Sequence, residues 1–432
     1  MTHRDVELLA IGAGPSNLAL AVALEELAPD DLAGNSLVIE QDETVAWQRG
    51  MLLPWAQSQV SFLKDLVTLR NPRSTFSFVN YLHTVGRLDH FVNMSSFTPY
   101  RIEISAYLQW VANSLTKVRL EYGRRCTAIE PDRAGDGTLT GWLVWLTDGS
   151  AIRSRYLVIG AGRDPYVPPT FADLPARRVI HSTQYVSRLA ELSKELPYRI
   201  AVIGGAQSAA EMFHSVQEDL PHCRPTMVMR SIGLNAYESS RFTNELYYPS
   251  FVDEFFEARP AAREQLLREM NRTNYSGLAP GLLDSLYRQF YLDRLTGQNR
   301  LRMVTMTDVT AAVEDGAEVA LELTDRKTGA VEELRCDLVL LGTGFARHMP
   351  WLVRHLGDAL GLDRIEVTRY YRLRVDGTAT AACYLQGMNE ATHGIADSLM
   401  SVLAHRSSEI VDDILAGRTE HLSTHVPVPV LS

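Results

Sequence analysis

The chain has 432 residues, 46% of them hydrophobic and 22% charged, enough for roughly two to four domains with cores of their own. Its 42 basic and 52 acidic residues give a net charge of −10, which argues against a general nucleic-acid or anionic-membrane binder but leaves room for a local basic pocket. The four cysteines (Cys126, Cys223, Cys336, Cys383) include no Cys-x-x-Cys pair, so a zinc ribbon, a redox dithiol and a disulfide scaffold are not expected. At the N-terminus a short apolar run is broken at once by glycines, unlike a signal peptide. No apolar stretch of about 18 residues follows. A soluble cytoplasmic protein without a membrane or nucleic-acid partner is the expectation.

The first pattern is an apolar strand over Val6 to Ile11, the turn Gly12-Ala13-Gly14-Pro15-Ser16-Asn17, and a helix from Leu18 to Leu27. These are the parts of a dinucleotide-binding βαβ unit. Gly12 permits the tight turn, and Gly14 lets the backbone approach a pyrophosphate at the helix N-terminus. Pro15 and Asn17 complete the turn. Asn17 stands where a third glycine is usual, so helix and strand are expected to pack slightly further apart. The next strand, Ser36 to Ile39, ends at Glu40, where a carboxylate meets the ribose of an adenosine.

The pattern recurs at Arg199 to Ile203, with the turn Gly204-Gly205-Ala206-Gln207-Ser208-Ala209 and a helix after it. Gln207 and Ser208 open that helix and are expected near the cofactor's phosphates or nicotinamide. The following strand, Thr226 to Met229, ends at Arg230 instead of an acid. A guanidinium pairs with a 2′-phosphate that a carboxylate would repel, so this unit favours NADPH over NADH. A solvated arginine at a strand end is the alternative. Two such units suggest an FAD half and an NADPH half. A third strand-turn, Asp337 to Leu341 with Gly342-Thr343-Gly344, reads as the return to the FAD half, with Thr343 and Gly344 at the cofactor. Its earlier counterpart is Tyr156 to Ile159 with Gly160-Ala161-Gly162.

The expected fold class is α/β, with two Rossmann-like dinucleotide-binding domains and a small helical substrate region. The FAD domain spans 1–190 and 339–432, and the NADPH domain spans 191–232 and 297–338. Residues 233–296 form the helical region, because Phe251 to Met270 and Leu282 to Leu295 carry apolar residues at helical spacing. The last dozen residues, with Pro427 and Pro429, read as a loose tail.

Disulfide reductases of this architecture need a cysteine pair that is missing. The F-x-G-x-x-x-H motif of Baeyer–Villiger and flavin-containing monooxygenases is also absent, since Phe171 has no glycine two positions on. The run Gln59-Val60-Ser61-Phe62-Leu63-Lys64-Asp65-Leu66-Val67-Thr68-Leu69-Arg70-Asn71-Pro72 closely resembles the flavin-dependent N-hydroxylating monooxygenases, in particular the L-ornithine N5-monooxygenases of siderophore-type pathways. Both glycine turns, Thr273-Asn274-Tyr275-Ser276, Thr392-His393-Gly394 and Ser398 to Ala404 extend the resemblance over nearly the whole chain. Ala206, Gln48 and Arg272 depart from the usual residues.

The resemblance implies FAD and NADPH as cofactors and O2 as co-substrate. In such enzymes NADPH reduces FAD, the reduced flavin captures O2 as a C4a-hydroperoxide, and the neutral side-chain amine of the amino acid attacks the distal oxygen. Activity is then expected to rise toward alkaline pH. The resemblance also implies residue roles. Lys64 pairs with the substrate carboxylate, the alternative being a structural ion pair. Gln59 sits beside the flavin. Asn244 and Asn274, otherwise ordinary cap or turn residues, contact substrate, with Ser401 as a third contact and Ser398 competing for that place. Tyr275 stacks on the NADP adenine, Trp47 joins the cofactor contacts, and His393 is structural. The substrate is L-ornithine, with L-lysine or a diamine as rivals and a non-catalytic flavin redox sensor as the reading from another class. The family suggests a homo-tetramer or dimer.

Overall fold

The computed structural model describes the backbone of residues 3–237, 240–275 and 277–424, and their side chains apart from 3, 272–274 and 420–424. The apolar run before the first glycine turn is β1 (His3–Ile11), central in the first sheet. It is flanked in parallel by β2 (Ser36–Ile39), with β3 (Arg119–Glu121) beyond. An antiparallel ribbon, β4 (Cys126–Arg133) and β5 (Leu139–Leu146), feeds into β6 (Ala151–Ile159), which lies parallel to β1.

The second sheet takes β7 (Val179–His181), β8 (Arg199–Ile203), β9 (Arg224–Val228) and β10 (Arg302–Val304). A three-stranded antiparallel sheet follows, made of β11 (Thr307–Asp315), β12 (Glu318–Asp325) and β13 (Val331–Cys336). Then β14 (Leu338–Leu341) enters the second sheet between β8 and β7, giving the all-parallel order β10-β9-β8-β14-β7. Last, β15 (Ala382–Leu385) joins the first sheet, pairing with the half of β6 that β5 leaves free.

Two parts of the expected domain division are corrected. Residues 179–181 and 339–341, assigned on sequence to the first domain, lie in β7 and β14 of the second sheet, and the return to the first sheet is made by β15. Buried parallel strands are short, wholly apolar runs that look alike, so Leu338 to Leu341 carries no local mark of its partner. The chain crosses between units just after β6 and just after β14, and these crossings pair with each other. Tyr166 N donates to Gly344 O at 2.9 Å, and Ala346 N donates to Asp164 O at 2.8 Å.

Alternation along the strands sends each sheet's side chains into two cores. In the second unit, Ile200 and Val202 face helices Gln207–Asp219 and Pro280–Leu295. Ala201 and Val339 face the three-stranded sheet. In the first unit, helices Pro15–Leu27, Arg101–Ser114 and Leu403–Thr424 cover one face, and Trp351–Leu360 packs on the other. The region between β9 and β10 is helical, with Arg241–Glu245, Ser250–Glu257 and Pro260–Asn274 ahead of Pro280–Leu295. Where a tail was expected, the last helix continues to Thr424, and residues 425–432 lie outside the described residues. No helix among the described residues is long and apolar enough to cross a membrane.

Candidate active site

The first glycine turn is built by close backbone approach. Gly12 has φ +90°, and a Cβ there would lie 3.0 Å from Gly160 O. Asn17 stands where a third glycine is usual, and its side chain packs against the facing backbone. The space comes from the facing Gly160, where a Cβ would lie 2.7 Å from the Asn17 amide. Buried Asn17 donates to Ile11 O and Gly12 O at 2.9 and 2.8 Å and accepts from Gln386 Nε2 at 2.8 Å. Its amide supports the turn and has no free group for a cofactor. Glu40 reaches the same turn, accepting from Ala13 N at 2.7 Å.

The second turn is tighter. Gly204 has φ +135°, and a Cβ would lie 2.5 Å from Gly342 O. Arg230 follows β9, is exposed, and has no hydrogen bond or ion pair among the described residues. Its neighbour Ser231 touches the turn, since a Cβ on Gly205 would be 2.9 Å from Ser231 Oγ. Ser208 is half-buried with no side-chain partner among the described residues, whereas both ends of the Gln207 amide are used: Nε2 donates to Glu211 at 2.7 Å, and Oε1 accepts from Ala279 N at 2.8 Å. Gln207 therefore fastens the helical region to the turn instead of presenting a free amide to a phosphate.

Both helices that open at these turns start without a side-chain cap and without an acid in the first turn. Unclaimed N–H groups and the positive end of the helix dipole suit an anionic group at each. With an acid beside the first turn and a free arginine beside the second, the residues present fit two dinucleotides, FAD at the first and NADPH at the second.

The loop from Gln57 to Leu69 spans the side of this assembly. Phe62 N donates to Phe97 O at 2.9 Å, which ties the loop to the first unit. Asp65 turns inward, accepting from Val67 N, Thr68 N, Thr68 Oγ1 and Phe78 N at 2.6–2.9 Å. That anchor leaves Lys64 facing the opposite way. Lys64 is half-buried, has no carboxylate partner among the described residues, and its Nζ lies 4.6 Å from the centre of the Tyr248 ring, in the helical region. Burial lowers its pKa below the usual lysine range. The structural ion pair considered for Lys64 is not formed among the described residues. Gln59, on the same loop, is exposed with its amide free.

The helical region and the C-terminal segment meet beside this loop. Tyr247, Val252 and Met270 pack with Ile395, Ala396 and Val402. Asn244 is exposed one turn before Tyr248. The side chain of Asn274 lies outside the described residues. Ser401 is buried, and its hydroxyl has no hydrogen-bond partner. Ser398 is already engaged with Tyr275 OH at 2.8 Å, so Ser401 is the better placed of the two competing serines to receive a ligand. Tyr275 also hydrogen-bonds Glu390, which pairs with Arg163 at 3.2 Å. The Tyr275 hydroxyl is thus committed to the first unit's C-terminal segment, and nothing ties it to Arg230 at the expected adenine end. Trp47 is anchored by its backbone, Trp47 N donating to Ser105 Oγ at 3.0 Å. Thr343 and Gly344 lie at the domain crossing, the first donating to Tyr166 O and the second accepting from the His181 ring.

His393 has no role at a reacting centre. Its Nδ1 pairs with Thr392 Oγ1 at 2.9 Å, its Nε2 pairs with Arg369 O at 3.0 Å, and Tyr371 stacks on it. Burial pushes its pKa down to about 4. Since the unfolded ring titrates near 6.5, the unfolded state binds the proton first on acidification. Stability from this residue is complete above roughly pH 6.5 and falls by about 3 kcal/mol on going to pH 4. In urea titrations across that range, His393→Gln is expected to flatten the acid limb by this amount.

Three functional elements escaped the sequence. Tyr248, Arg101–Glu211 and Arg163–Glu390 join segments far apart in the chain, and none carries a local motif.

The fold and the two turns define a two-dinucleotide-binding architecture, and its relatives make it a flavin-dependent, NADPH-using monooxygenase. Residues 4–347 match the model of the L-lysine 6-monooxygenase/L-ornithine 5-monooxygenase family, and the chain belongs to that family. An L-ornithine N(5)-oxygenase of Arthrobotrys oligospora is 37% identical over 428 residues, covering 94% of this chain and 88% of the relative. The solved ornithine hydroxylase of Pseudomonas aeruginosa superimposes with a TM-score of 0.89 at 36% identity, covering 96% of this chain and 100% of that one. An ornithine N-hydroxylase of Kutzneria, solved with reduced FAD, NADP+ and L-ornithine, gives 0.88 at 32% identity, with the same coverage.

Proposed function

We propose that this protein hydroxylates the side-chain amine of L-ornithine, consuming NADPH and O2 and giving N5-hydroxy-L-ornithine. The observation that carries the choice of substrate is Lys64, a half-buried cation with no carboxylate of its own, held against Tyr248. A free amino acid brings the missing carboxylate, and a simple diamine does not. Gly12, Gly14, Pro15 and Glu40 would hold FAD, with Trp47, Thr343 and Gly344 around it. Gly204, Ser208 and Arg230 would hold NADPH. When bound, FAD supplies the oxygen-activating redox chemistry, with electrons from NADPH.

The chain's own residues do the rest. Lys64 fixes the carboxylate end of the substrate, and Asn244, Asn274 and Ser401 offer donors and acceptors to a zwitterion. Gln59, exposed on the same loop, would offer its amide to bound FAD. The distal amine reacts in its neutral form. L-lysine is the close rival, since one methylene is worth only about 1–3 kcal/mol of discrimination in a pocket.

The test is hydroxylamine formation and NADPH oxidation by purified protein with ornithine, lysine and putrescine. Product from ornithine well above the other two is the expected result, and equal product from putrescine would sink the role given to Lys64. Coenzyme choice has its own test. Arg230→Ala is expected to raise the KM for NADPH roughly 10- to 100-fold, the range for one charge-assisted phosphate contact, and to leave the KM for NADH unchanged.

A further inference from the structure

The most deeply buried ion pair of the first unit lies outside both glycine turns. Arg406, on helix Leu403–Thr424, pairs with Asp397 at 2.7 Å, and both side chains are 0% exposed. A guanidinium only donates. Here Nε donates to Gln386 Oε1 at 3.0 Å, Nη1 to the carboxylate and backbone oxygen of Asp397, and Nη2 to Ser16 Oγ at 2.8 Å. Gln386 in turn donates to Asn17 Oδ1, which closes a ring of fixed donors and acceptors under the first turn.

The consequence falls on Ser16. Its hydroxyl oxygen must act as acceptor toward Arg406, so the hydroxyl proton is turned elsewhere, and no described protein atom accepts it. Ser16 is half-buried, second in the helix that opens at the first turn. The residue before it is Pro15, which brings no N–H to that helix terminus.

We propose that Arg406 is a positioning residue for the dinucleotide at the first turn. It holds the Ser16 hydroxyl so that its O–H points out of the protein as a donor to a phosphate oxygen of FAD, in place of the N–H that Pro15 lacks. Asp397 balances the buried charge, which lets a permanent cation sit beneath the turn without a net unpaired charge. The inference rests on the reading of the first turn as the FAD site.

The experiment titrates apoprotein with FAD and follows flavin fluorescence quenching, with the NADPH affinity of the holoenzyme as control. Ser16→Ala is expected to raise the FAD Kd about 10-fold and to leave the NADPH Kd unchanged. Ser16→Thr keeps the hydroxyl and is expected to keep near-native affinity. Arg406→Met is expected to weaken FAD at least as much, with no further loss when Ser16→Ala is added. An FAD Kd for Ser16→Ala within about twofold of the native value, or full additivity of the two substitutions, would overturn the proposal. Should Arg406→Met fail to fold, the Ala and Thr variants at Ser16 decide it. If the native apoprotein takes up no FAD, the reading beneath the proposal falls and the proposal with it.

Discussion

Lys64→Met is expected to raise the KM for L-ornithine roughly 30- to 1,000-fold, with flavin reduction by NADPH within about threefold of native. The magnitude is that of a charged contact in a partly desolvated site, about 2–4 kcal/mol. Methionine keeps the apolar stem against the loop, so what is removed is the charge over Tyr248. Asp65, which anchors the loop through four hydrogen bonds, stays in place. The same variant acting on putrescine, which has no carboxylate, should show little change. That comparison separates a carboxylate contact from general damage. The pH profile adds a second mark. kcat/KM should climb as the substrate amine loses its proton, then fall once Lys64 discharges, at a pH below the ordinary lysine range because burial disfavours its charged form. In Lys64→Met the falling limb should be gone. An unchanged KM, or an unchanged falling limb, refutes the assignment.

Arg101→Met is expected to destabilise the protein by about 3–5 kcal/mol in chemical denaturation. Arg101 begins a helix of the first unit, and Glu211 lies in the helix that opens at the second glycine turn. Their side chains are 7% and 1% exposed and form an ion pair, with Arg101 also donating to Met51 O at 3.1 Å. Removing the arginine strands a buried carboxylate whose second oxygen already has no partner. Replacing both residues with methionine should recover much of the loss, since a desolvated pair and an apolar pair of similar volume are often close in stability. If the single and double variants are equally unstable, the interpretation as an unpaired charge fails. Because Gln207 also binds Glu211, the single variant is further expected to loosen the second turn, read as weaker NADPH binding.

How much of this was legible in the sequence follows from the range of each interaction. The two nucleotide-binding turns are local devices, a strand, a glycine bend and a helix within some twenty residues, so their residue types and spacing suffice to identify them. The helices between β9 and β10 were legible for the same reason, through apolar periodicity. The partner of β14 was not. Four buried leucine and valine residues satisfy a parallel strand in either sheet, and the choice is made by pairing with β8 and β7 across long stretches of chain. The site divided in the same way. Glu40 and Arg230 stood out as candidates because each follows a strand next to its turn. That the amides of Asn17 and Gln207 are engaged by Gln386, Glu211 and Ala279 was not legible, because position in a motif says nothing about what else reaches a side chain.

Lys64 shows the boundary most plainly. Sequence alone supplied its identity and a family resemblance, and left a structural ion pair open. Only the folded chain decided that no carboxylate among the described residues pairs with it and that a tyrosine from another segment reaches it. The Ser16–Arg406 contact, across 390 residues, and the Arg101–Glu211 pair, across 110, belong wholly to tertiary structure. By itself the sequence determined the acidic, cysteine-poor composition, the two dinucleotide units and the class of chemistry, since these depend on residue type and short spacing. Which charges are paired, which are left free for a ligand, and how the two units are locked together were decided by burial. Desolvation sets the worth of a charge only after distant segments have closed around it.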